Sequence, residues 1–182
     1  MKKTTKPALL FAALFLFVSL NALKAQTSTP QPGYGDMVVA NPNAEKDIKL
    51  VSDYVNALTS GDLDKAKSLA TDNYVGYGPA PTDSATIDQT ISGWKENSTR
   101  QSNRTINFVP ATFKVTSGDN QGEWVSLWGE YSFTENGKDV KFPFQYTAHV
   151  TDGKIDKDLI YYDRLYIMQT LGYTLTPPAG GK

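Results

Sequence analysis

The chain has 182 residues, 18 of them basic and 19 acidic, with a formal net charge of −1, one histidine and no cysteine. Without cysteine there is no disulfide, thiolate metal site, cysteine nucleophile or lipoprotein anchor. Balanced charge without a basic stripe excludes nucleic acid and anionic membrane surfaces as expected partners.

Residues 1–25, "MKKTTKPALLFAALFLFVSLNALKA", place early lysines before an apolar run from Ala8 to Leu20 and small residues at Ala22 and Ala25. That is the three-part pattern of a bacterial secretory signal peptide. The run is shorter than the ~20 residues a membrane span needs. The pattern predicts cleavage after Ala25, export to the periplasm or beyond, and no membrane association afterwards. Residues 26–43, containing "QTSTPQPGYGDMVVANP", read as a flexible linker. Residues 44–173 are long enough for one domain with its own core, and residues 174–182 read as a disordered tail.

Within the domain, Ile48, Val51, Val55 and Leu58 recur at helical spacing, which predicts a helix over Ala44–Thr59. Ser60-Gly61 stops it, and Asp62 can cap a short second helix whose inner face is Leu63, Ala66 and Ala70. "NYVGYGPAP" (Asn73–Pro81) reads as a short strand entering a Pro/Gly loop. A third helix begins near Asp83–Thr86. There, Thr86 and Gln89 have capping-box spacing, and Ile87, Ile91 and Trp94 line the inner face.

From Arg104 the period changes to two. Thr105–Thr116, Glu123–Thr134, Val140–Thr151 and Ile155–Asp163 read as long strands joined by "SGDNQG", "ENGKD" and "TDGK". The fold class is therefore α+β: three N-terminal helices packed on a curved antiparallel sheet, with a short C-terminal helix.

The last fifth of the chain carries the most specific signal. It holds His149, the turn Asp152-Gly153-Lys154-Ile155, the run Tyr161-Tyr162-Asp163-Arg164 and the ending Gln169-Thr170-Leu171-Gly172, with "GYGPAP" (Gly76–Pro81) upstream. These motifs and the element order, over about residues 45–172, resemble the SnoaL-like polyketide cyclases of the nuclear transport factor 2-like superfamily. The resemblance implies a cone-shaped domain with a pocket for a small hydrophobic molecule. It also implies cofactor-independent proton transfer at a carbonyl, as in cyclisation, isomerisation or dehydration. By position it places Asp163 and His149 as a facing catalytic pair, with no cofactor; no metal is expected either, because one histidine with scattered carboxylates has no ligand spacing. The chain departs from the pattern at Lys157 and Asp158, where relatives often carry acidic residues before Trp, and at the extra Thr170.

The residues leave alternatives beside that reading. Asp163 lies in an aromatic run, so burial would raise its pKa above ~3.9 and suit it to acid–base work. Equally, it can cap the final helix or pair with Arg164. His149 orients Asp163 or a ligand, or is a half-buried strand residue. Tyr77, Trp94, Tyr54, Trp128 and Thr147 are the candidate ligand contacts, with the face of Trp128 open. If His149 faces the cone, then Phe142, Phe144, Tyr146 and Ala148 face outward, and a homodimer through the outer sheet face would cover them. A non-catalytic carrier and a dimeric interaction module are the competing functions on the same fold.

Overall fold

The computed structural model describes residues 33–176. The expected signal peptide, the start of the expected linker and the end of the tail lie outside them. Among these, the residues from Gly35 onward form one compact unit.

Helix α1 spans Ala44–Ser60 and buries Val51, Val55 and Leu58 of the expected stripe, with Tyr54 added and Ile48 only partly buried. It ends at Gly61, whose φ of 89° is open to glycine without the Cβ penalty. Asp62 caps α2, Leu63–Ser68, by accepting from the Lys65 amide. Helix α3, Ile87–Arg100, starts with the predicted capping box, in which Thr86 and Gln89 each bond the other's backbone amide. The last helix, α4, runs from Arg164 to Thr170.

Seven strands make one sheet: β1 Val38–Val39, β2 Ala70–Tyr77, β3 Ser84–Thr86, β4 Ser102–Val115, β5 Gly122–Glu135, β6 Lys138–Thr151 and β7 Lys154–Tyr162. Their order is β1-β4-β5-β6-β7-β2-β3. Strands β4 to β7 form the expected antiparallel meander. The β5–β6 and β6–β7 turns are Asn136-Gly137 and Asp152-Gly153, with positive φ at both positions. That is the two-residue turn whose twist matches its strands.

Two findings correct the expected architecture. The sheet is mixed, because β2 lies parallel to β7. Helix α3 and strands β3 to β6 intervene between β2 and β7 in the chain, so the connection is a crossover and need not return antiparallel. In addition, the end of the expected linker is anchored. Val38 and Val39 pair with Val115 and Lys114, and buried Asn41 donates to Asp47 and Thr112 at 2.8 Å each. Two β-branched residues beside a sheet edge, followed by an amide with buried partners, outweigh the surrounding Pro and Gly.

Register decides which side chains meet the helices. Along β6, Val140, Phe142, Phe144, Tyr146, Ala148 and Val150 are all buried. Paired residues share a face, so Ala148 brings Asp158 inward, and Tyr146 and Phe144 bring Ile160 and Tyr162. This parity follows from a bulge. Val150 pairs with Ile155, but His149 pairs with Lys157, which leaves Asp156 as the extra residue on β7. One extra residue moves every later side chain to the opposite face.

Candidate functional site

Between the helices and the concave sheet face lies a cavity of about 560 Å³. That size suits a small organic molecule. Its walls are mostly aromatic and aliphatic, with Trp94 from α3, Tyr131 from β5 and Phe142 and Phe144 from β6 among them. Tyr131 packs edge-on against both Trp94 and Phe142, at ring separations of 6.0 and 5.8 Å. Helix α4 adds Ile167 and Met168 to the lining.

One buried polar constellation stands out in this lining. Asp158 lies on β7, is only 5% exposed and lines the cavity. Its Oδ2 accepts a hydrogen bond from Tyr146 Oη at 2.7 Å and a second from Tyr74 Oη. Tyr54 Oη, from α1, donates to Tyr74 Oη at 3.4 Å. Among the described residues no donor meets Asp158 Oδ1, which is left for whatever enters the cavity.

The elements explain the arrangement. Tyr74 and Gly76 share a face of β2, and Gly76 sits opposite Asp158 in the parallel β2–β7 pairing. The Tyr74 ring leans over Gly76 to reach the carboxyl. A Cβ at position 76 would lie 2.6 Å from Tyr74 Oη and 2.9 Å from Asp158 Oδ1. The strand backbone at Gly76 suits any residue, so what glycine supplies there is room for the hydrogen bond.

Burial pushes the Asp158 carboxyl up from its ordinary 3.8 to about 6, while the phenol bonds from Tyr74 and Tyr146 pull in the opposite direction. Desolvation and the Asp158 charge raise Tyr54, Tyr74 and Tyr146 above the ordinary phenol range, so all three remain protonated donors. A cavity-lining carboxyl pushed up to about 6, with one oxygen held and the other without a donor among the described residues, can accept or return a proton.

The residues predicted from sequence divide between the two sheet faces. Tyr54, Tyr77 and Trp94 line the cavity. Asp163 does not face its interior. It is exposed, caps α4 by accepting from the Tyr166 amide at 2.9 Å, and lies on the far side of the parity change at Asp156. His149 stands on the outer face, not beside Asp163. Its Nδ1 is 2.6 Å from Asp156 Oδ1, and its ring packs on Trp124 at 4.8 Å. Thr147 also faces outward and bonds Ser126 at 2.9 Å, while Trp128 is 50% exposed beside it on the same face. The more apolar parity of β6 turned inward, which forced the histidine out.

Asp158 is the residue that sequence reasoning missed as a site. Counting by two from buried Ile155 puts Lys157 and Leu159 inside, and only the bulge brings Asp158 in. A signal was present: an acidic residue three before "YYDR", within reach of Tyr74 and Tyr146, both on apolar strand faces. Among the described residues, no three His, Cys, Asp or Glu side chains gather as a metal-ligand set.

Neither a protein-family model nor a curated protein sequence matches the chain. Solved structures do. An LEH-like epoxide hydrolase from M. tuberculosis is 18% identical, with 71% of this chain and 92% of that one aligned at a TM-score of 0.56. A protein assigned to the SnoaL-like polyketide cyclases from Shewanella denitrificans is 15% identical over 72% and 98% of the two chains, at a TM-score of 0.56. A protein of ketosteroid isomerase-like fold from Catenulispora acidiphila is 16% identical over 71% and 98%, also at 0.56. The chain therefore shares the fold of the SnoaL-like and ketosteroid isomerase-like proteins, as the sequence motifs led us to expect.

Proposed function

We propose that this protein binds a small, largely apolar molecule in the cavity and moves a proton on it with Asp158. The observation that carries the reading is a buried carboxyl at the cavity wall, with one oxygen fixed by two phenols and the other without a donor among the described residues. In the forward step, ionised Asp158 takes a proton from carbon beside a carbonyl. The C–H electron pair moves toward the carbonyl oxygen, giving an enolate and a neutral acid. The acid then returns its proton to another atom of the same molecule, so no cofactor is consumed. Burial sets the pKa near neutrality, where a group serves best as both base and acid. Tyr77, at the cavity wall, is the candidate donor to the developing oxyanion. Neighbours described as polyketide cyclases and ketosteroid isomerase-like proteins support this reaction class.

Deuterium incorporation into ring-fused ketones such as 2-tetralone, followed by NMR, tests the reading. Wild-type protein should exceed the buffer rate, and Asp158→Asn should return to it. Binding without exchange would favour the carrier function instead.

Two further parts of this proposal concern the whole chain. The protein is exported with its mature end near Gln26, as the N-terminal pattern indicates. It forms a homodimer through the outer sheet face. The aromatic residues first chosen for that interface line the cavity instead, so the proposal now rests on a different row. Val109, Trp128 and Tyr161 lie in register across β4, β5 and β7 and are 68%, 50% and 56% exposed.

A further inference from the structure

The charges around the cavity do not balance, and the imbalance sits at one place. Four charged side chains besides Asp158 line it: Asp83, Arg100, Glu135 and Arg164. They pair off, with Arg164 Nη1 2.8 Å from Asp83 Oδ2 and Arg100 Nη1 3.6 Å from Glu135 Oε1. Asp158 has no such partner. The groups facing it are phenols: Tyr74 from β2, Tyr146 from β6 and, one step further, Tyr54 from α1. Among the described residues no lysine or arginine ion-pairs with it.

The surroundings of this unpaired carboxylate favour a positive guest. Tyr54 and Tyr146 stack at 6.4 Å, and Tyr54 and Tyr74 meet at the same separation, so three aromatic rings cluster around the carboxyl, two of them through their hydroxyls. The face of an aromatic ring attracts cations, and aromatic boxes with an acidic floor are a recurring solution for binding ammonium groups. A buried carboxylate lacking a counter-charge gains most from a ligand that brings one.

We infer that the cavity selects a molecule with a protonated amine on an apolar, aromatic-sized frame, the ammonium N–H donating to Asp158 Oδ1. This rests on the cavity being a small-molecule site but not on the proton transfer proposed above. The ionised carboxyl is the binding form, and it predominates above its raised pKa. Affinity for the cation should therefore rise with pH through about 6 and level off, until the amine itself loses its proton.

The test compares 2-phenylethylammonium with 2-phenylethanol, which has nearly the same shape and no charge, by calorimetry at pH 7.5 and pH 5. The amine should bind at least tenfold more tightly at pH 7.5, and the ratio should shrink at pH 5. Asp158→Asn should abolish the ratio while leaving alcohol binding in place, which also reports that the variant is folded. Equal affinity of the two probes, no binding of the amine, or a ratio that survives Asp158→Asn would overturn the inference. Ketone exchange alongside equal affinities would remove the cation preference and leave the proton-transfer reading standing. Loss of both binding and exchange would remove both.

Discussion

At the scale of single residues, the two aspartates of β7 and its end show how position overrides context. Asp163 lies among aromatic residues in sequence, yet its carboxylate reaches only the Tyr166 amide and solvent. Asp158 follows a lysine and is almost wholly enclosed. The difference is measurable. Asp163→Ala should cost about 1 kcal/mol of stability through the lost cap, and leave the cavity carboxyl untouched. Asp158 should make stability depend on pH with a defined sign. Its folded pKa, about 6, lies above its ordinary value of 3.8. The folded state thus holds the proton more tightly, and the contribution is full below the unfolded pKa and lost as pH rises through about 6. Asp158→Asn should remove that slope, which amounts to on the order of 3 kcal/mol between the two limits. Denaturant unfolding from pH 3 to pH 8 checks both variants.

At the scale of elements, the sequence was most legible where one local rule decided the outcome. The α1 stripe, the Gly61 stop, the Thr86–Gln89 box and the Asn136-Gly137 and Asp152-Gly153 turns each follow from a few neighbouring residues. What was not legible is non-local. The parallel docking of β2 on β7 joins residues about eighty apart in sequence, and the bulge at Asp156 is defined only by the pairing of β7 with β6. Both determine the site. Of the seven predicted site residues, the three tyrosine and tryptophan positions outside β5 and β6 reach the cavity. The four on β5, β6 and the end of β7 fail with the strand parity.

Gly76 is the element-scale test of the site. A methyl group there meets Tyr74 Oη and Asp158 Oδ1 below normal contact distance. Gly76→Ala should cost about 1–3 kcal/mol by overpacking, and should raise the Asp158 pKa further as the Tyr74 bond is pushed away. Tyr74→Phe in the same background removes the nearer oxygen and should recover part of the stability. Thermal unfolding of the single and double variants reads this. A Gly76→Ala protein with unchanged stability and titration would mean that the Tyr74–Asp158 bond does not need the space.

At the scale of the molecule, one sheet presents two chemically different faces. Its concave side, closed over by α1 and α3, carries the cavity, and its convex side carries the Val109–Trp128–Tyr161 row and the His149–Asp156 pair. On the proposed dimer, Trp128→Glu would place an unpaired charge in the interface. It should shift sedimentation at micromolar concentration toward the monomer, because burying such a charge is costly. A wild-type protein that already sediments as a monomer would discard the dimer and leave the cavity chemistry unaffected.

The central claim is that the carboxyl at the cavity is Asp158 and that enclosure holds it near neutrality. Carboxyl-carbon NMR titration of the wild-type protein, assigned by comparison with Asp158→Asn, measures this directly. The account predicts a resonance that titrates near 6, well above the ~3.9 of an exposed aspartate, and disappears in the variant. An Asp158 resonance that titrates at or below ~3.9 would contradict it.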